Sequence, residues 1–289
     1  MKGCVKIMIL VDYNQVLISS LMAQPRLQQQ GIDKDLIRHM VLNSIRMYRN
    51  KFCNRFGDEL VICCDNRNYW RKIKFPQYKA HRKKLRETSD HDWNAIFECL
   101  NSMKAELKKY FPYKVLEVCT AEADDVIGTL CENLHDESAI LILSGDKDFM
   151  QLQRYAGVEQ YSPILKRYLR CPNPERFLKE HIMRGDKGDG VPNFLSADDT
   201  FVTDSRQTPL SKKKIESWVD HDPEIFCSSK MLRNYARNQL LVDLTYVPKP
   251  LKTEIMDQYN QSQAVDRSKL FPYFIDNRLK NLMEHIGEF

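Results

Sequence analysis

This sequence predicts an α/β fold with a mainly parallel central sheet, and three observations support that class. Short apolar runs recur through the first 160 or so residues, several of them end in an acidic residue, and amphipathic helical stretches separate them. The purest run, Ala139 to Leu143, shows no polar alternation, as a strand buried on both faces requires.

In chain order, Val5 to Val11 reads as the first strand and ends at Asp12. Residues 33–56 form a helix with Ile37, Val41, Ile45, Tyr48 and Phe52 at spacings of three and four, and Asp33 as its cap. Leu60 to Cys64 is the second strand and ends at Asp65. Residues 89–110 carry Trp93, Ile96, Phe97, Leu100, Met103 and Leu107 on a helical period, with the acids around His91 as the cap. Lys114 to Cys119 is the third strand. A helix opened by Glu122, Asp124 and Asp125 follows, then the strand 139–143, and Val158 to Ser162 is an edge strand. Beyond about residue 175 the pattern becomes helical. It is broken by the glycine-rich turn 185–190 and an irregular stretch at 193–210. The expected division is an α/β domain over 1–180, with a basic segment at about 66–92, and a smaller helical region over 181–289.

With 289 residues, 43% apolar and 29% charged, the chain has the composition of a folded globular protein. The net charge of +5 is modest. Nine cysteines without a CxxC spacing, several inside apolar runs (Cys63, Cys64, Cys119, Cys131), read as buried free thiols in a reducing, cytoplasmic setting. The apolar run after Lys2 and Lys6 is too short for a signal peptide, and no stretch is long enough to span a membrane.

In an open parallel sheet, ligands sit beyond the carboxyl ends of the strands. Asp12, Asp65, Asp146 and Asp148 have that address, and Glu122, Asp124 and Asp125 can reach it from the loop after the third strand. Asp189 completes a set of eight candidate oxygen donors. One acid at a strand end is unremarkable, because Asp caps helices and starts turns. Acids delivered to one edge by four segments are another matter, since two like charges in contact repel by roughly 4 kcal/mol at an effective dielectric near 20. Lys147 is the only cation expected among them, pointing away. Bound cations are the simplest remedy. Oxygen donors without a His or Cys set favour Mg²⁺ or Mn²⁺ over zinc, and two such ions suit phosphodiester hydrolysis.

Between Arg67 and Arg86 lie nine basic residues and no acid, with Tyr69, Trp70, Phe75 and Tyr78 interleaved. A solvated basic loop would leave those rings without packing, whereas bases stack on aromatic faces and Lys and Arg follow phosphates. Arg67, Arg71, Lys72, Lys74, Tyr78, Lys83, Lys84 and Arg86 are therefore candidate nucleic-acid contacts. The turn with Gly185, Lys187, Gly188 and Gly190 offers backbone amides to a phosphate backbone.

The order Asp12, Asp65, Glu122-Ala-Asp-Asp, Ser144-Gly-Asp-Lys-Asp and Gly185-Asp-Lys-Gly-Asp, with Tyr78-Lys79-Ala-His-Arg82 after the second acid, resembles the structure-specific 5′-nucleases, the flap endonuclease family. The resemblance implies a PIN-like 5′-nuclease core with a helical arch and a helix–hairpin–helix-like motif. It implies two Mg²⁺ ions, replaceable by Mn²⁺, on Asp12, Asp65, Glu122, Asp124, Asp125, Asp146, Asp148 and Asp189, with Asp186 as a further ligand. It also implies Lys79 and Arg82 at the scissile phosphate and a monovalent cation at the 185–190 turn, where Gly190 replaces the family's usual Asn. The substrates implied are branched or nicked DNA and RNA–DNA hybrid with a 5′ end, and the partners a single-strand DNA-binding protein and a sliding clamp, around a monomer. A PIN-type single-strand ribonuclease and a non-catalytic junction-binding protein are the rival readings.

Overall fold

A computed structural model of the chain describes residues 6–22, 33–89 and 91–289. Six strands form one sheet in the order β3-β2-β1-β4-β5-β6. They are β1 (Lys6–Asp12), β2 (Glu59–Cys63), β3 (Lys114–Leu116), β4 (Ser138–Leu143), β5 (Val158–Ser162) and β6 (Arg167–Leu169). The first five run parallel, and only β6 is antiparallel, against β5. Val158–Ser162 is therefore not the sheet edge that its sequence suggested. β6, only Arg-Tyr-Leu, is too short to register as a run, and it takes the edge. Val5 and Asp90 fall outside the described residues.

The sheet is covered on both faces, and the alternation of β1 shows how. Ile9 and Val11 enter one apolar cluster with α2 (Lys34–Phe56), α5 (Trp93–Tyr110), α12 (Leu270–Asp276) and α13 (Lys280–Met283). Met8 and Leu10 enter the other, with α6 (Ala123–Leu134) and α11 (Lys249–Gln261). Opposite faces for successive residues is the period-two geometry of a strand. It explains why β1 and β4 read as uninterrupted apolar runs.

The expected caps form. Asp33 accepts the backbone N–H groups of Asp35 and Leu36 at the start of α2, and Asp92 accepts that of Ala95 for α5. Gly57 ends α2 at φ +67°, where a Cβ would lie 2.9 Å from the Ile7 carbonyl oxygen. Cys63, Cys64 and Cys131 are buried, but Cys119, expected inside, is exposed because β3 ends three residues before it.

Two smaller clusters organise the rest. Leu178, Ile182, Phe194, Ile215 and Tyr235 join α7 (Pro174–Arg184), α8 (Lys212–Trp218) and α10 (Ser229–Val242). Phe75, Tyr78, Val191 and Leu241 join the basic segment to this helical region. The chain order steps from β1 to β2 on one side and to β4 on the other, so the switch point lies beside Asp12. Among the described residues no helix is long and apolar enough to cross a membrane.

Phe111 is fully buried and its ring lies 5.1 Å from Tyr273, 6.1 Å from Phe274 and 5.7 Å from Phe289. Phe111→Ala should cost about 3–5 kcal/mol, read as a lower denaturant midpoint at unchanged m-value. A midpoint equal to that of the parent would mean that this aromatic junction does not anchor the carboxy-terminal helices.

Candidate metal centre and nucleic-acid interface

Asp12, at the end of β1, accepts the Ser144 hydroxyl at 2.8 Å and the Gln15 backbone N–H at 3.2 Å. Asp65, just past β2, accepts the Ala123 N–H at 2.8 Å and the Asn14 amide at 2.7 Å, so it ties β2 to the start of α6. Asp146, just past β4, accepts the Asp148 N–H at 3.0 Å. These three, with Asp124 from the first turn of α6, line one cleft of about 540 Å³. Lys79, Arg82, Arg86 and Asp189 line its other wall.

Among the described residues none of Asp12, Asp65, Asp124 and Asp146 has an ion-pair partner. Burial, reinforced by the charge of Asp65, pushes Asp12 up to about 7. Burial and then Asp146 raise Asp124 well above the ordinary carboxylate range, and burial also raises Asp146. Burial disfavours the charged form of Asp12, Asp124 and Asp146, and no ion pair offsets it. An all-oxygen donor set that lacks a counter-charge is the chemistry a hard divalent ion requires, so these residues fit such an ion.

Glu122 and Asp125, expected beside these acids, do not line this cleft. Glu122 caps α6 and Asp125 is the third residue of its first turn, each bonding the other's backbone. Successive residues of a helix point about 100° apart, so Asp124 faces the cleft while Asp125 turns inward. There it accepts the Trp70 indole N–H at 3.0 Å and pairs with Arg71 at 2.6 Å. Glu122 pairs with Arg71 at 3.0 Å, accepts the Tyr78 hydroxyl at 3.0 Å and pairs with Lys79. Burial opposes ionisation of Glu122, but Lys79 and Arg71 outweigh it and lower its pKa.

The basic segment is also divided. Arg71 is only 2% exposed, and its Nε donates to the Leu241 carbonyl at 2.9 Å. Tyr78 is equally buried and donates to Asp189 at 2.6 Å. Neither can reach nucleic acid, because buried carboxylates hold both. Trp70 and Phe75, like Tyr78, are buried packing residues and not stacking platforms. Arg67, Lys72, Lys74, Lys83, Lys84 and Arg86 are exposed. The segment forms two short helices, α3 (Trp70–Lys74) and α4 (His81–Glu87), fastened to the glycine turn. Arg82 pairs with Asp189 at 2.5 Å and donates to the Gly188 carbonyl at 2.9 Å, and the Lys79 N–H donates to the Asp189 carbonyl at 2.7 Å.

Within the turn, Lys187 and Gly188 are exposed but Gly185 and Gly190 are buried. These two shape the turn instead of touching a ligand. A Cβ on Gly185 would lie 2.3 Å from the Val191 carbonyl oxygen, and one on Gly190 2.9 Å from His81 Nδ1. The turn's carbonyls and those of the residues around it accept protein donors, including the side chains of Arg237 and Asn238. They do not fit a monovalent cation.

Asp148 and Asp186 lie together at the base of α7 with a residue the sequence reading missed. His181 Nε2 is 3.2 Å from Asp186 and 3.6 Å from Asp148, and the donor atoms of all three lie within 4.8 Å of one another. Lys147, expected to point away from its neighbours, pairs with Asp186 at 2.9 Å. Burial pushes Asp186 up, but hydrogen bonds from His181 and Lys147 reverse that and leave it well below the usual range. Burial and then Asp146 raise Asp148. The one available signal for His181 was its position a single helical turn before Gly185.

A parallel sheet with an acid-lined switch point, walled by a basic segment and followed by helices, is the PIN-like architecture of 5′-nucleases. Residues 7–180 match the family described as 5′-3′ exonuclease, N-terminal resolvase-like domain, and residues 173–289 match T4 RNase H, C terminal. The chain belongs to the 5′-3′ exonuclease and flap endonuclease family, whose members are phosphodiesterases. It is 32% identical over 290 residues to the ribonuclease H of Enterobacteria phage T4, covering 97% of this chain and 95% of that one. It is 26% identical over 203 residues to the flap endonuclease Xni of Shewanella pealeana, covering 67% and 73%. Among solved structures, a flap endonuclease of bacteriophage T5 in complex with DNA and metal ions shares the fold. Its TM-score is 0.60 at 16% identity, over 88% of this chain and 99% of that one. The T5 5′-exonuclease with bound zinc gives 0.60 at 15% identity, over 88% and 98%.

Two predictions follow from how charge is distributed here. Arg71→Met should destabilise the protein by about 3–5 kcal/mol, because Asp125 would stay buried without its ion-pair partner and Glu122 would lose one of its two. Chemical denaturation measures this, and a loss under 1 kcal/mol would remove Arg71 as their support. In chelator, Asp12 holds its proton more tightly folded, at about 7, than unfolded, at its ordinary 3.8. Its stabilising contribution is therefore complete below about pH 4 and lost as pH rises through 7, bounded near 4 kcal/mol at ~1.4 kcal/mol per unit. The Tm of chelated protein should fall between pH 5 and 8, and Asp12→Asn should raise Tm at pH 8. A chelated parent that is more stable at pH 8 than at pH 5 contradicts this.

Proposed function

We propose that the chain is a divalent-metal-dependent 5′-to-3′ exonuclease and flap endonuclease that removes RNA primers, with adjoining DNA, in lagging-strand replication. The observation that carries this reading is the lining of a single cleft by Asp12, Asp65, Asp124 and Asp146, from four separate segments, opposite Lys79 and Arg82. Asp12, Asp65, Asp124 and Asp146 would hold one divalent ion, and Asp148, Asp186 and Asp189, with His181 beside them, a second. Mg²⁺ or Mn²⁺ bound there supplies charge neutralisation and a more acidic water for hydrolysis.

The chain's own residues bind and orient the substrate. Lys79 is held at the cleft wall by Glu122 and Asp189, so its ammonium is already aimed when a phosphate enters. Arg82, braced by Asp189 and the Gly188 carbonyl, adds a second fixed donor beside it. The exposed Arg67, Lys72, Lys74, Lys83, Lys84 and Arg86 track the backbone of the strand with the 5′ end. Lys187 and the amides around Gly188 grip the adjoining duplex. Water adds across the phosphodiester. The P–O3′ bond breaks, leaving a 3′-hydroxyl on one fragment and a 5′-phosphate on the other.

The substrate class rests on the relatives. The phage T4 relative is named a ribonuclease H, and the T5 structure holds DNA and metal ions. On this reading the chain works as a monomer in a bacterial host's cytoplasm, beside a sliding clamp and a single-strand DNA-binding protein.

A forked duplex carrying a 5′ label tests the reading. Chelator should stop cleavage. Asp146→Asn should slow it by at least ~10²-fold while holding duplex affinity within about twofold. Turnover within tenfold of the parent at saturating Mg²⁺ would take Asp146 out of the reaction.

A further inference from the structure

The glycine turn raises a question that the cleft does not answer: what gathers the carbonyl oxygens beneath it? A monovalent ion at such a turn needs several converging carbonyls and no fixed positive charge among them. Here the carbonyls are already engaged. The Asp186 carbonyl accepts the N–H groups of Asp189 at 3.2 Å and Val191 at 2.7 Å, and that of Lys187 accepts Gly190 at 3.2 Å. On the other side of the turn, Asn238 Nδ2 donates to the carbonyls of Ile182 at 2.8 Å and Pro192 at 2.9 Å. Arg237 Nη2 donates to the same Pro192 carbonyl at 2.9 Å.

Arg237 is fixed in that position. Its side chain is 8% exposed, Nη1 pairs with Asp198 at 2.5 Å, and Nε donates to Asn238 Oδ1 at 2.9 Å. The guanidinium also lies over the Phe75 ring, 5.6 Å from its centroid, so it bridges the turn and the basic segment. Opposite, Gly190 lets His81 close on the turn, in space that any larger residue would need.

We propose that the guanidinium of Arg237 is a built-in cation that organises the 185–190 turn, so that duplex binding through this turn requires no potassium. The inference rests on the reading of the turn as a duplex grip.

Duplex affinity is measured by fluorescence anisotropy in chelator, with the full chain, in potassium, sodium, lithium and tetramethylammonium acetate at equal ionic strength. The parent should bind with the same Kd within about twofold in all four. Binding several-fold tighter in potassium alone overturns the proposal. Arg237→Gln keeps a hydrogen-bond donor but removes the charge. It should bind about tenfold more weakly in lithium and recover most of that loss in potassium. A loss of the same size in every salt, with native circular dichroism, makes Arg237 merely structural and also overturns the proposal. The parent's salt series stands even if the variant fails to fold. A parent that binds no duplex in any salt defeats the reading of the turn itself, a result distinct from potassium dependence.

Discussion

The constraint on which this structure depends is the division of buried negative charge. Within one small region the fold gathers acids from β1, β2, α6, β4 and the 185–190 turn, and it treats them in two ways. Glu122 and Asp125 lie beneath the cleft and are neutralised by Arg71 and Lys79. Asp12, Asp65, Asp124 and Asp146 line the cleft and have no such partner among the described residues. The paired set gives the floor its rigidity. The unpaired set makes the cleft a place where cations are welcome.

That division also explains the basic segment. Its buried residues are fasteners: Arg71 reaches the α6 acids and the end of α10, while Phe75 and Tyr78 pack with Val191 and Leu241. Its exposed basic residues include Arg67, Lys72, Lys74 and Arg86. Lys79 stands between the two groups, at φ +56°, a conformation rare for a side chain of its kind. The surroundings impose it, since its N–H bonds the Asp189 carbonyl and its ammonium pairs with Glu122 and Asp189. The segment and the glycine turn therefore share bonds at Asp189 and Gly188. A change in one wall of the cleft reaches the surface that would hold the duplex.

Much of this was legible in the sequence, and the failures share a cause. The strands and long helices follow from one-dimensional period, so β1, β4, α2 and α5 were readable to within a few residues. Asp12, Asp65 and Asp146 were readable because strand ends have a common address. Period does not say which of three neighbouring acids at a helix start faces outward, so Asp124 could not be told from Asp125. Nor does composition say which arginine in a basic run is buried, because Arg71 is recognisable only by the acids waiting for it in α6. His181 was invisible for a related reason. It meets Asp148 across a gap that α7 closes in space and not along the chain.

The molecule carries its own control for why the cleft acids are left unpaired. At the buried carboxylates Glu122 and Asp125, a guanidinium and an ammonium lie within bonding distance. Arg82 and Lys79 line the same cleft as Asp124 and Asp146, but both pair with Asp189. Stability alone would favour closing those pairs, since an unpaired buried charge costs several kcal/mol. The fold neutralises Glu122 and Asp125, yet it leaves Asp12, Asp65, Asp124 and Asp146 together in one cleft with no ion-pair partner among the described residues.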